Sequence, residues 1–341
     1  MSFLFPSSTI TFAAALRDLS SKNTKARAAA AQALGDVTDP TEQSRAIEGL
    51  ILALDDERPE VRGEAAGSLG TLRSTGAIPG LVKRLDDGVA GVRQTAAIAL
   101  GSIAHADAFA PLLAALREGP ADLRYQAATS LAEIDGARAF EPLVAALGDA
   151  DPQVVSAAAL ALGAINDPRA IAQLAPVLEH AKDAVRFDAA YALAELGDPA
   201  GRAVLVGALA DPERAWDAVT GLATLATTRP DQATEVADLL GRALVDRKVP
   251  PEATVVAAGT VLRVSPTSAH EAAARRVLLA GLDARKVTVR GLAVEQLGAA
   301  GGVWAREPLE QLARSGKGAE LGDSIASALA AIAARTAGGA A

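Results

Sequence analysis

The stretch Gly91-Val92-Arg93-Gln94-Thr95-Ala96-Ala97-Ile98-Ala99-Leu100-Gly101 returns, with small changes, along most of the chain. Glu60-Val61-Arg62-Gly63-Glu64-Ala65-Ala66-Gly67-Ser68-Leu69-Gly70 precedes it. Asp122-Leu123-Arg124-Tyr125-Gln126-Ala127-Ala128 and Ala184-Val185-Arg186-Phe187-Asp188-Ala189-Ala190 follow. The arginine position runs 62, 93, 124, then Val155, then 186, a step of 31 residues by subtraction. Lys25-Ala26-Arg27-Ala28-Ala29 is an earlier copy and Thr288-Val289-Arg290-Gly291-Leu292-Ala293 a later one. A fixed period of this length marks a stack of repeats, in which each unit buries its apolar face only against its neighbours.

Each unit reads as two helices. The second begins at the Val-Arg pair and places Val92, Thr95/Ala96, Ala99 and Leu100 on one face. Gly70, Gly101, Gly163 and Gly197 then suit a helix C-terminus. Asp39-Pro40, Asp167-Pro168 and Asp198-Pro199 suit the next start, with Asp as cap and Pro in the first turn. The first helix is apolar and leucine-rich, as in Ala108-Phe109-Ala110-Pro111-Leu112-Leu113 and Ala139-Phe140-Glu141-Pro142-Leu143. No strand is predicted.

Composition agrees with thin helical layers. The 341 residues are 50% hydrophobic but only 3% aromatic, and alanine supplies roughly a quarter of them, far above ordinary usage. Alanine closes backbone-near helix contacts but cannot fill a wide interior. With no cysteine there is no disulfide scaffold, thiolate metal site or cysteine nucleophile. Three distant histidines, His105, His180 and His270, make a histidine metal site improbable. The net charge of −8 argues against a polyanion binder. No cofactor and no metal are expected. No apolar run is long enough to span a bilayer. The start, Met1-Ser2-Phe3-Leu4-Phe5-Pro6, lacks the charged segment of a secretory signal, so a cytoplasmic location is expected.

The phrase Val-Arg-x-x-Ala-Ala-x-Ala-Leu-Gly, followed by Asp-Pro-x-Ala and a leucine-rich helix, resembles the HEAT repeat. It is most similar to the short bacterial form of the phycobilisome-lyase-type (PBS lyase HEAT-like) proteins, over about residues 9–335. The resemblance implies an α-solenoid, a right-handed superhelix of about nine helical hairpins with a capping helix over residues 320–334. The expected organisation is an N-terminal segment and first helix (1–19), regular repeats (20–225), divergent repeats with the cap (226–335) and a disordered tail (336–341).

The same resemblance implies that an acid in the turn pairs with the repeated arginine of its own or the next unit. Asp56, Asp87 and Glu118 each lie six residues before such an arginine. The arginines read either as a structural ladder or as a stripe for a ligand anion. The resemblance also implies that second helices line the concave wall. Gln94, Tyr125, Ser156, Phe187 and Trp216 share one position there, and Ile98, Thr129, Leu160, Tyr191 and Thr220 the next turn. Three of the four Trp and Tyr residues fall on this face. They read either as rings packed between layers or as a contact surface, with Asp188 and Asp217 adding acceptors. Phe3, Phe5 and Phe12 read as a lid over the first repeat or as a second contact, and Trp304 as filling near the C-terminal helices.

No phosphate loop, dinucleotide fingerprint or zinc-protease motif occurs, and His270-Glu271 is a lone pair where HEAT-like di-iron hydroxylases use several. No catalytic residue is assigned. The expected function is a scaffold or adaptor holding another protein, a helix or extended segment, in the concave groove. The partner contacts are Arg93, Gln94, Arg124, Tyr125, Arg186, Phe187, Asp188, Tyr191, Trp216 and Asp217. Two alternatives follow from the resemblance: a bilin lyase or isomerase subunit, and an enzyme like the HEAT-like alkylpurine DNA glycosylases. The acidic balance opposes the latter.

Overall fold

The computed structural model describes residues 10–338. The expected contact through Phe3 and Phe5 lies outside them. The chain forms two compact units, Met1–Ile165 and Asn166–Ala341. In the first, α1 (Phe12–Asp18) pairs with α2 (Thr24–Gly35), and α3 (Pro40–Ala53) with α4 (Pro59–Thr71). Next come α5 (Ile78–Arg84) with α6 (Ala90–Ile103), α7 (Ala106–Glu118) with α8 (Ala121–Ile134), and α9 (Gly136–Ala146) with α10 (Pro152–Ile165). In the second, α11 (Ala170–Leu174) pairs with α12 (Asp183–Glu195), and α13 (Arg202–Ala208) with α14 (Ala215–Thr228). There follow α15 (Ala233–Ala243) with α16 (Pro251–Val264), α17 (Glu271–Leu282) with α18 (Val287–Ala300), and α19 (Arg306–Arg314) with α20 (Gly322–Gly338). Among the described residues all elements are helical, and within each unit successive second helices stack on one another. This is the α-solenoid expected from the period.

Several details differ from the sequence reading. The helix expected as a cap is the second helix of a further hairpin. It continues through Thr336, expected in a disordered tail, because alanine-rich sequence favours helix and the Thr336 hydroxyl donates to the Ile332 carbonyl at 3.0 Å. The division between units falls at 165/166, inside the stretch that reads as uninterrupted repeats. Three local features coincide near it. Val155 stands in the arginine slot, Asn166 takes a left-handed φ of 57°, and α11 has five residues before a 3-10 helix, Ala175–Glu179, takes over at Pro176.

The expected caps form. Asp39, Asp167 and Asp198 each accept a backbone N–H two residues on, at 2.8, 2.9 and 2.9 Å. The glycines divide into two kinds. Gly197 has φ 74° and ends its helix as expected. Gly70 and Gly101 instead lie inside α4 and α6, where they let second helices approach. A Cβ on Gly70 would stand 2.8 Å from the Ala99 Cα, and one on Gly101 2.8 Å from the Ser130 Cβ. Leu69, Leu100, Leu131, Leu162 and Leu193 are fully buried at one register position. Truncating such a leucine to alanine costs about 3 kcal/mol.

The arginine ladder exists, with a register that sequence spacing misassigns. What lies six residues before Arg62, Arg93 and Arg186 is a backbone carbonyl acceptor, and for Arg124 it is the Gly119 carbonyl, five residues before. Arg62 donates to the Asp56 carbonyl, Arg93 to that of Asp87 and Arg186 to that of His180, at 2.9, 2.9 and 2.7 Å. The acid side chain serves the arginine of the preceding repeat. Arg27 bonds Asp56 at 2.7 Å, Arg62 bonds Asp87 through two contacts of 2.7 Å, Arg93 bonds Asp122 at 2.9 Å, and Arg124 bonds Asp149 at 2.6 Å. Glu118, expected to pair with Arg124, is replaced in that role by Asp149. Two buried serines add to the stitching, Ser68 donating to the Ala31 carbonyl at 2.9 Å and Ser130 to that of Ala97 at 3.0 Å.

Candidate functional site

The ladder settles where two of the expected contact residues sit. Arg93 and Arg124 are largely covered and committed to Asp122 and Asp149, so they are not a free stripe for a ligand anion. Arg186 is more exposed and pairs with Asp183 beside it. In the first unit the outward positions of the second helices are apolar or neutral. Tyr125 is 42% exposed on α8, with Thr129 one turn on. Ile98 on α6 and Leu160 on α10 are exposed and Gln94 is half-buried.

In the second unit the same positions behave differently. Phe187, expected on the contact surface, is 6% exposed. Its ring joins the core with Ala190, Leu205 and Val219, and the Arg214 guanidinium lies 5.6 Å from its centre. The equivalent Trp216 stays 44% exposed at the start of α14. Asp217 beside it is exposed, while Asp188 and Tyr191 on α12 are half-buried. Tyr191 packs toward Gly221 of α14, where a Cβ would come within 3.2 Å of the ring. Trp304 is half-buried in a 3-10 turn before α19, with Arg275 4.8 Å from its ring centre.

The electrostatics of this patch are acidic and poorly solvated. Burial pushes the Tyr191 phenol above its ordinary range, and the charges of Glu195 and Asp217 push it the same way. Burial alone raises the Glu195 carboxyl. Glu195 lies four residues after Tyr191, on the same face of α12. The period gave no reason to mark it, because it falls at the helix end where other repeats carry varied residues. An aromatic ring near two carboxylates, with desolvation opposing the negative charge, attracts a cation. Perturbed groups of this kind cluster at functional sites.

The family follows from direct comparison. The profile described as HEAT repeats matches residues 11–101, 47–132, 109–185 and 141–226. The chain is a HEAT-repeat protein. Among solved structures it is similar to yeast importin-β (Kap95p), with a TM-score of 0.62 and 14% identity, covering 94% of this chain and 52% of that one. Kap95 in its complex with Nup1 gives 0.58 and 13%, with coverage of 94% and 52%. The chain spans about half the length of these importin-β structures, and the likeness shows the fold. The CpcE–CpcF complex of phycocyanin lyase from Nostoc sp. PCC7120 aligns with a TM-score of 0.41 and 25% identity, covering 81% of this chain and 98% of that one. Comparison with curated proteins yields no match. Among the described residues no His, Cys, Asp and Glu group is placed to hold a metal ion, and no helix is long and apolar enough to cross a membrane.

Proposed function

We propose that this HEAT-repeat chain is a non-catalytic scaffold that holds a protein partner along the stacked second helices of its C-terminal unit. Tyr191 and Trp216 are the anchors, and Glu195 and Asp217 receive a cationic side chain of the partner. The observation that carries this reading is the exposed Trp216 next to Asp217 on α14, with the half-buried Tyr191 of α12 under the charges of Glu195 and Asp217. Aromatic rings that keep an exposed face beside charged groups have the composition of binding hot spots. The same acids repel phosphate, and the ladder arginines are already paired, which weighs against nucleic acid as the ligand.

The test is capture of the partner by crosslinking pull-down with Trp216→Ala and Asp217→Asn. Both side chains are exposed, so the variants should keep the wild-type melting temperature and lose most of the captured partner. Capture at the wild-type level by both would reject this site.

A further inference from the structure

A cleft of about 380 Å³ opens on the second helices α14, α16 and α18 of the C-terminal unit. Thr220 and Thr224 line it from α14, Thr260 and Arg263 from α16, and Gln296 from α18. The Thr220 hydroxyl donates back to the Trp216 carbonyl at 3.0 Å, and the Thr260 hydroxyl accepts from Arg263 Nη2 at 3.3 Å. Among the described residues Arg263 has no carboxylate partner.

Gln296 distinguishes this cleft from ordinary surface relief. It is only 6% exposed, yet its Oε1 is buried with no hydrogen-bond partner. An unpaired buried acceptor is costly and uncommon in native structures. Counting six residues on from the repeat arginine gives Ser68, Ser130 and Gln296 from Arg62, Arg124 and Arg290. The two serines satisfy themselves on a carbonyl of the preceding second helix, whereas the Gln296 Oε1 lies buried against Gly259 with no partner. Gly259 on α16 makes the room, since a Cβ there would stand 2.2 Å from the Gln296 Oε1.

We propose that this cleft binds an extended, acidic peptide segment. One of its peptide groups pairs with the Gln296 carboxamide, and an Asp or Glu side chain pairs with Arg263. A peptide group carries one donor and one acceptor, so it complements a carboxamide whichever way round the amide sits. Arg263 supplies the charge that selects a carboxylate. Three helices stacked at roughly 8–10 Å need a ligand of extended shape. The inference rests on the reading that a protein partner occupies this face, because Trp216 lies one turn before Thr220 on α14.

The test is fluorescence anisotropy on the full chain with labelled serine–alanine peptides that carry central Asp residues, or Asn or Lys in their place. The Asp peptide should bind about tenfold more tightly than the Asn peptide, and Lys should not bind. Arg263→Ala should abolish the preference for Asp. Gln296→Leu should weaken the Asp peptide about tenfold while the melting temperature holds or rises, since it removes an unpaired buried oxygen. Equal binding of Asp and Lys peptides, no binding of any peptide, or a Gln296→Leu variant that melts earlier and binds normally would overturn the proposal. If Trp216→Ala abolishes partner capture while Gln296→Leu and Arg263→Ala leave it intact, the anchor site stands and the cleft falls. If Gln296 governs peptide binding but Trp216→Ala leaves capture unchanged, the cleft stands and the anchor site falls.

Discussion

The two units use one repeat for different ends. In the N-terminal unit the conspicuous polar groups are spent on internal bonds. Four arginines reach four aspartates of the following repeats, and two buried serines reach carbonyls of the preceding second helix. In the C-terminal unit that ladder is absent from the described residues. Arg186 turns to a neighbour on its own helix, and Arg290 reaches only the carbonyls of Ala284 and Arg285. There other pairs join the repeats, Arg202 with Glu235, Lys286 with Glu252 and Lys317 with Asp283, while Trp216, Asp217 and Arg263 stay exposed and Gln296 keeps an unpaired oxygen. Polar chemistry spent on register is unavailable for a partner, and the second unit is where it is left over.

The largest expected effect separates the units by stability. Asp87→Ala removes a covered carboxylate and leaves the Arg62 guanidinium unpaired, which should cost about 3 kcal/mol. Asp183→Ala removes the exposed partner of Arg186 and should change stability by less than about 0.5 kcal/mol. Urea unfolding of both variants checks the contrast, and equal losses would break it. A smaller effect is expected at Ser130→Ala, which deletes the buried bond to the Ala97 carbonyl at about 1 kcal/mol, read in the same way.

Acid should act with opposite sign on the ladder aspartates and on Glu195. The guanidiniums of Arg62 and Arg124 hold the Asp87 and Asp149 carboxyls below the ordinary range, against the effect of burial. Their contribution is full above the unfolded carboxyl range near about pH 4. It is lost as pH falls through the lower folded values. Glu195 is raised by burial, so its contribution is fullest below the unfolded value and declines as pH rises through the folded one. Glu195→Gln should therefore flatten a slight fall in stability above about pH 4. Asp149→Asn should blunt the acid loss. Unfolding midpoints measured across that range test both signs.

The period made the fold legible because the packing that defines a solenoid repeats with it. Leu69, Leu100 and Leu131 needed no further information. In sequence the glycines at 70 and 101 read as helix ends, because a single repeat cannot show the neighbouring helix that excludes a Cβ. The ladder was read one repeat out of register because the carbonyl and the side chain of Asp87 belong to the same residue but serve different arginines. Tyr125, Phe187 and Trp216 share a register position, yet only Phe187 turns inward, under Arg214, and nothing in the period separates them. Gln296 leaves a faint sign, a long amide where the equivalent residues are serine at 68 and 130 and alanine at 33, 99 and 192. Its buried, unpaired oxygen shows only in the packing against α16.

The central claim is that the C-terminal unit recognises and the N-terminal unit supports. A photocrosslinking residue placed at Thr220 and, separately, at Thr129 tests it most directly, because the two positions are equivalent in the repeat and neither is fully buried. The account predicts a strong crosslink to the partner from position 220 and little from 129. An equal or stronger crosslink from 129 would contradict it.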